Sequence, residues 1–422
     1  MGHLKNLPLV KFFYQLEPLR LFYHFCLSFL ATLFYRFPSR KIFVIGVTGT
    51  KGKTTVVDLV NLILETAGKK TAVLSSLYFK IGENREENLT ENTMPGRFFV
   101  QNFLDRAVRA GCSYAVVEVT SEGVRYSRHR FINWNIALIT NLAPEHIESH
   151  GSFEKYREAK LNFLKYAAAK GAKIFLNNND RGFNFFYNQL EREKVFPYSV
   201  ADRLVESFLT LSLSQSIDKS TNLLFKKFNL SNVAAAIAIT KHIGIGEAEI
   251  VMALKSFNSL PGRMDVVLWD PFRFIVDYAH TPESLEKFYQ TVRGGMQGEE
   301  KLICVLGSAG GGRDKWKRSA MGEIAAGYCE SIILTNEDPY DENPKKILND
   351  IRVGIGEGVS VLEILDRREA ILKAVDLADT GDSVVITGKG SEPYIHVSDG
   401  RKIAWSDRGV AEEVLEMKKL RK

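Results

Sequence analysis

Cysteine is scarce in this chain: 422 residues hold four, Cys26, Cys112, Cys304 and Cys329. None stands in a Cys-x-x-Cys pair, so no zinc site or disulfide framework is indicated, and all four read as free thiols of a reducing compartment. Charge of one sign is scarce too, with 56 Lys and Arg against 50 Asp and Glu, a net of +6. That mild excess suits anionic substrates or an anionic membrane surface. Without a basic stripe interleaved with aromatics, it does not argue for nucleic acid. Long apolar runs are also missing. The densest, Leu21–Tyr35, is interrupted by His24, Ser28 and Thr32, and a membrane span needs about 20 apolar residues. No small-residue cleavage site follows it. What remains is the balance of a folded protein, 45% hydrophobic and 25% charged, on a chain long enough for two or three cores.

The most informative stretch is KIFVIGVTGTKGKTT at 41–55. Ile42–Ile45 reads as a short buried strand, Gly46, Gly49 and Gly52 allow a tight turn, and Val56–Leu64 is long enough for a helix. A strand, a glycine loop and a helix make a phosphate cradle. Backbone N–H groups around Gly49, Thr50 and Gly52 face the anion, Lys53 reaches the terminal phosphates, and Thr54, followed by Thr55, offers a hydroxyl to Mg²⁺. The strict pattern wants glycine at position 47, where the chain has Val47, so this is a variant loop.

Around it, residues 41–260 alternate strand and helix, which predicts a mainly parallel sheet with helices on both faces. Expected strands are Lys70–Leu74, Tyr114–Val119 and Asn135–Thr140, with helices at Phe98–Ala110, 151–168, Leu230–Ile243 and 247–257. Residues 80–97 read as a polar, substrate-facing loop. Strand C-termini should carry the chemistry, which singles out Glu118 and His146 as metal ligands beside Thr54. Glu118 as a surface cap and His146 as a packing residue are the bland alternatives; His150 competes with His146 but has no strand behind it. Lys160 shares a helix face with Tyr156, Phe163 and Leu164; it points either at the phosphates or, snorkelling, at solvent. Asn229 and Asn232 either cap their helix or touch the nucleotide base.

Pro261-Gly262 is the clearest hinge. Beyond it, 261–422 reads as a second, Rossmann-like α/β domain with strands at Phe274–Asp277, Leu302–Leu306, Ile332–Thr335 and Val384–Thr387. Each ends in a polar loop, and Arg263, Asp277, His280, Arg313, Asp338 and Glu392 are its candidate cleft residues. The fold expected is therefore α/β: a phosphate-loop domain at 41–260 and a Rossmann-like domain at 261–422, preceded by a hydrophobic helical segment at 1–40. Residues 8–40 read as a helical hairpin packed on the nucleotide domain, as an amphipathic element on the cytoplasmic membrane face, or, least favoured, as a span. These parts suit a kinase, a hydrolase or a ligase equally.

Six ordered motifs, TGTKGKTT at 48–55, TNLAPEHIESHGSFEKYREAK at 140–160, PGRM at 261–264, DYAHTPESLE at 277–286, GGRDKWKR at 311–318 and GKGSE at 388–392, resemble the Mur ligase family, most nearly its MurE-type members. The resemblance covers about 41–422. It implies a cytoplasmic ATP-dependent carboxylate–amine ligase of cell-wall synthesis: a substrate carboxylate is phosphorylated, and an amine displaces phosphate from the acyl phosphate. It implies two Mg²⁺ ions held by Thr54, Glu118, His146 and a carbamylated Lys160. Asn229, Asn232, Arg263 and Asp277 would lie at the nucleotide, with His280 shaping that contact. Thr93, Ser121 and Arg128 would hold a muramyl-peptide donor, and Arg313, Asp338 and Glu392 would meet a diamino acid.

Three departures from the family pattern stand out. The loop starts too early for the family's uridine-nucleotide domain, so the donor is either UDP-linked or lipid-linked with the N-terminal helices helping to reach it. The family's Asp-Asn-Pro-Arg reads Glu337-Asp338-Pro339-Tyr340, without the arginine that clamps a distal carboxylate. Ser391 replaces a histidine before Glu392. A poly-γ-glutamate or folylpolyglutamate type ligase and a non-catalytic scaffold are the competing classes.

Overall fold

In the computed structural model, residues 17–145, 147–207, 227–257, 260–268, 270–312 and 315–420 are described. They divide into two compact units, one formed by the described residues up to 207 together with Lys227–Phe257, the other running from residue 260 onward.

The first unit is built on eight strands: β1 (Phe43–Thr48), β2 (Thr71–Leu74), β3 (Tyr78–Ile81), β4 (Asn84–Glu87), β5 (Tyr114–Glu118), β6 (Ile136–Ile139), β7 (Lys173–Asn177) and β8 (Val195–Tyr198). They lie in the order β4-β3-β2-β5-β1-β6-β7-β8. Neighbours from β2 to β8 are parallel, and β3 and β4 add an antiparallel edge. A parallel sheet covered on both faces needs continuous apolar strands; Val44, Ile45 and Val47 of β1 and Ala115, Val116 and Val117 of β5 are fully buried. β1 lies between β5 and β6, so the loop after it emerges where the chain order reverses, the place where open α/β sheets bind ligands. The following helix, Lys53–Thr66, buries Val56, Val57, Leu59, Val60 and Ile63. Helix Phe153–Ala169 starts on the Ser152 cap and buries Tyr156, Lys160, Phe163 and Leu164 on one face, the face that the spacing predicts.

Several expectations need correction. Residues 80–97 are not all loop: the β3–β4 hairpin turns at Gly82 (φ +60°). Its outer strand, Asn-Arg-Glu-Glu, is exposed throughout, so polar composition concealed a strand that has no core face. The cysteines are not all free: Cys304 and Cys329 form a disulfide, while Cys26 and Cys112 are free thiols. The pairing follows from the fold, because Cys304 lies mid-strand and Cys329 ends the helix that leads into the neighbouring strand. Of the segment 8–40, residues 8–16 lie outside the described residues. The remainder is one helix, Glu17–Phe34, and a short turn, Pro38–Arg40.

That helix is oriented against its composition. His24, Ser28, Ala31 and Thr32 are its buried residues, and the Ser28 hydroxyl donates to the Ser127 carbonyl at 2.8 Å. Phe22 (65% exposed), Phe29, Leu30, Leu33 and Phe34 (72%) face outward.

The second unit carries β9 (Asp265–Leu268), β10 (Arg273–Asp277), β11 (Leu302–Leu306), β12 (Ser331–Leu334), β13 (Ser360–Glu363) and β14 (Ser383–Thr387), in the order β13-β12-β11-β14-β10-β9. Five are parallel, and β9 closes one edge antiparallel. The expected strands β10, β11, β12 and β14 are its central ones. The edge strands β9 and β13, and the hairpin β15 (Tyr394–His396) with β16 (Lys402–Ala404), escaped prediction because edge strands bury less apolar surface. Thr281 and Ser284 form a capping box, with Pro282 at the first turn of the next helix. A buried Arg367–Asp407 pair at 2.8 Å and an Arg367 bond to the Thr387 carbonyl at 2.9 Å fix the C-terminal end of β14.

Candidate active site

The phosphate loop is shaped by close approach. A side chain on Gly49 (φ +144°) would place Cβ 1.9 Å from Thr140 Oγ1, and one on Gly52 (φ +80°) would place it 2.3 Å from Asn232 Oδ1. Neither position tolerates a larger residue. The loop is pinned from β6: Thr140 Oγ1 donates to the Lys51 carbonyl at 2.6 Å, and the Lys51 amide donates to Asn141 Oδ1 at 2.9 Å. Thr50 receives the Tyr156 hydroxyl at 3.0 Å, and Lys51 pairs with Glu145 at 2.6 Å. Lys53 opens the helix and donates to the Thr50 carbonyl at 2.9 Å, while Thr55 follows Thr54 in the same first turn.

Glu118, at the end of β5, is 1% exposed and is no surface cap. It accepts from Thr54 Oγ1 at 3.1 Å, the Ser76 amide at 3.0 Å and the Ser76 hydroxyl at 2.9 Å. Ser76 also meets Thr93 Oγ1 at 2.9 Å. One carboxylate thus joins the phosphate loop to the 88–96 loop. A hydroxyl and a carboxylate are oxygen donors of the kind that Mg²⁺ takes, and this ion is commonly held by one or two carboxylates plus substrate phosphates. No cluster of three or more His, Cys, Asp or Glu that could hold a metal occurs among the described residues. His146 lies outside them.

Lys160 does not snorkel. It is 1% exposed and donates to the Gly49 carbonyl at 2.7 Å, 4.5 Å from the centre of the Tyr156 ring. Burial, reinforced by the nearby Lys53 charge and opposed by Glu145 and Glu118, holds its ammonium well below the usual lysine range. Asn232 presses on Gly52 and donates to Asn229 Oδ1 at 2.9 Å, so both asparagines stand at the loop.

Of the donor candidates, Thr93 and Arg128 converge on the 88–96 loop, Thr93 through Ser76 and Arg128 through a hydrogen bond to the Met94 carbonyl. Ser121 stands apart and meets His150 Nε2 at 3.1 Å. His150, set aside on sequence for want of a strand behind it, is buried here against Tyr156. Ser76 was missed as well, although the strand-end rule that found Glu118 also points to the residues just after β2.

In the second unit, Asp277 ends β10 and accepts from the Met264 and Ala279 amides, both at 2.7 Å. Arg263 lies over the Tyr278 ring at 4.1 Å, and His280 Nδ1 meets the Tyr278 carbonyl at 2.8 Å. Lys389, also missed, joins two candidates: its ammonium donates to both Asp338 oxygens at 2.9 and 2.8 Å and to Glu392 at 2.6 Å. Tyr278 completes the set with a 2.7 Å bond to Glu392. Tyr340, in the family's arginine position, stacks on His396 with ring centres 4.9 Å apart. Arg313 lies outside the described residues.

Two family profiles match the chain: Mur ligase middle domain over residues 47–240, and Mur ligase, glutamate ligase domain over 262–390. The UDP-N-acetylmuramoyl-L-alanyl-D-glutamate–2,6-diaminopimelate ligase of Thermosynechococcus vestitus is 36% identical over 400 residues, covering 92% of this chain and 79% of its own. The Aquifex aeolicus protein of the same name is 36% identical over 395 residues, covering 90% and 79%. A solved structure of a ligase of that name matches with a TM-score of 0.57 at 27% identity, over 90% of this chain and 79% of that one. A Mycobacterium tuberculosis folylpolyglutamate synthase gives 0.66 at 16% identity, over 87% and 93%, a likeness of fold.

Glu337 is buried, and burial pushes its carboxyl up to about 7, with Asp338 adding and Lys317 opposing. A carboxyl raised in the folded state costs stability as pH climbs from its unfolded value through the folded one. Glu337→Gln removes that cost. The melting temperature of the variant relative to wild type is therefore expected to rise between pH 5 and pH 8; a difference independent of pH would show that Glu337 is not the titrating group.

Proposed function

The chain belongs to the Mur ligase family, and on that premise we propose that it joins a diamino acid, of which diaminopimelate is the first candidate, to the free carboxylate of a muramyl-dipeptide donor. The observation that carries this reading is the Thr54–Glu118–Ser76–Thr93 chain of hydrogen bonds, which ties the nucleotide side to the donor side through a single buried carboxylate. The terminal phosphoryl group of ATP passes to the donor carboxylate, releasing ADP. The acceptor amine then attacks the acyl carbon, phosphate leaves, and an amide remains. Lys53 neutralises charge on the phosphoryl oxygens during transfer. Thr54 and Glu118 would hold Mg²⁺, which when bound shields the phosphate oxygens. The second unit takes the acceptor, with the acidic groups of Asp338 and Glu392 suited to amines and Lys389 holding them in place.

The test is phosphate release from ATP with a UDP-linked or lipid-linked muramyl dipeptide and each of diaminopimelate, lysine and ornithine. Release that needs both partners, with a product heavier by the amino acid, is expected. Lys53→Ala should lower the rate at least about a hundred-fold with unchanged thermal unfolding, and retained synthesis by that variant would overturn the mechanism.

Carbamylation of Lys160 extends the reading. Burial disfavours the ammonium form of Lys160, and attack of the free amine on CO₂ with loss of a proton gives a carbamate anion able to bind a second Mg²⁺. Labelled bicarbonate should give a carbamate carbonyl signal by carbon-13 NMR that vanishes in Lys160→Ala; an identical signal in both proteins would place the carbamate elsewhere.

The outward apolar face of helix Glu17–Phe34, next to exposed Arg36, Arg40 and Lys41, favours a cytoplasmic enzyme resting on an anionic lipid surface without crossing it. No described helix is long and apolar enough to cross a membrane. Phe22→Ser with Phe29→Ser and Leu30→Ser should reduce sedimentation with phosphatidylglycerol vesicles. Undiminished sedimentation would assign the contact to another segment, residues 1–16 first.

A further inference from the structure

A cavity of about 820 Å³ lies in the first unit, between helix Glu17–Phe34, the 124–130 segment and helix Phe153–Ala169. That volume is within the range of small-molecule sites. Arg125, Arg130, Lys155 and Lys165 line it against only two carboxylates, Glu17 and Glu158. Glu17 is already paired with Arg125. Arg130 stands over the Tyr166 ring at 5.1 Å and Lys165 meets the neutral Gln189 at 3.1 Å, and neither pairs with a carboxylate among the described residues.

His129 also lines the cavity and is 3% exposed, yet its Nδ1 is buried with no hydrogen-bond partner. Its position is fixed by the Trp134 indole, which donates to its carbonyl at 3.1 Å. The ring packs edge-on against Tyr166 and Phe163, so His129 forms part of the cavity's floor and is not itself a contact for a ligand. The cavity also borders the donor candidates: His150, another lining residue, meets Ser121 at 3.1 Å.

We propose that this cavity binds the diphosphate ester through which the donor's muramyl peptide is attached to its carrier. The proposal rests on the reading of the chain as a ligase for muramyl-peptide donors. Two adjacent phosphoryl groups carry several negative charges and many acceptor oxygens, which arginine and lysine side chains converging from three elements complement. A nucleoside diphosphate and an isoprenoid diphosphate present the same group here and differ in what lies beyond it.

The experiment is calorimetric titration of the full chain, its phosphate loop saturated with AMP-PNP and Mg²⁺, with inorganic diphosphate, UDP and farnesyl diphosphate. The same titrations follow on Arg130→Glu with Lys155→Glu, exposed positions whose reversal should leave the fold intact. At least one diphosphate should bind wild type, and the variant should weaken it about tenfold or more, with AMP-PNP affinity and melting temperature unchanged. Preference for UDP identifies a nucleotide carrier and preference for farnesyl diphosphate a lipid one; either supports the site. Binding of none of them, or binding equal in the two proteins, overturns it. AMP-PNP binding and amide synthesis are read separately, so failure of the ligase reading is distinguishable from failure of the cavity.

Discussion

The site depends on a buried amine held by a backbone carbonyl. Lys160 reaches the Gly49 carbonyl at 2.7 Å from a helix whose other buried residues are largely apolar. An ammonium so enclosed loses most of its hydration, and a single carbonyl does not replace it. The Lys53 charge nearby makes the protonated form costlier still. Much else follows from this geometry. Gly49 must be glycine because β6 approaches at the point where the carbonyl is presented. Helix Phe153–Ala169 must begin on Ser152 so that Tyr156 and Lys160, four residues apart, both reach the loop. Burial thus disfavours the charged form of an amine that lies beside the loop against a carbonyl and not a carboxylate.

Glu118 solves the complementary problem. A buried carboxylate without hydrogen bonds is costly, and three donors from Thr54 and Ser76 satisfy it at normal distances. Those donors come from the helix after β1 and the turn after β2. The carboxylate at the end of β5 thereby fixes the relative placement of three strand ends. This rigidity makes the strand-end rule for α/β sheets mechanical: the strands are held by parallel pairing, and their polar termini by one another.

How much of this was legible varied with the range of the information. The phosphate loop could be read because glycine, lysine and threonine act within about ten residues, and the strands of both sheets because burial on both faces leaves apolar runs. Glu118 was legible as a carboxylate at a strand C-terminus. Ser76 and Lys389 were not. Their roles appear only when β2 is laid beside β5, or when the loop after β14 is brought to Asp338. The β3–β4 hairpin and the edge strands of the second unit lacked the apolar alternation that announces a strand. The Cys304–Cys329 bond was hidden because its spacing matches no local pattern. It exists because a strand and the helix end before its neighbour come together.

Helix Glu17–Phe34 shows how composition can mislead about direction. Its polar residues recur every fourth position, His24, Ser28 and Thr32, and that spacing would ordinarily mark a solvent face. Here it marks the inner one. Ser28 donates both to the His24 carbonyl and across to the Ser127 carbonyl, and Thr32 donates back to the Ser28 carbonyl, so both hydroxyls are satisfied within the protein. His24 packs edge-on against Tyr126 at 5.1 Å, and burial with three nearby arginines lowers its pKa to about 4, keeping it neutral. The phenylalanines and leucines are left outside, a face too large and continuous to be ordinary for a water-facing surface. The helix thus turns its serine and threonine hydroxyls inward onto backbone carbonyls and leaves its larger apolar side chains outward. The sequence pattern alone allowed either orientation, and the hydrogen bonds decide between them.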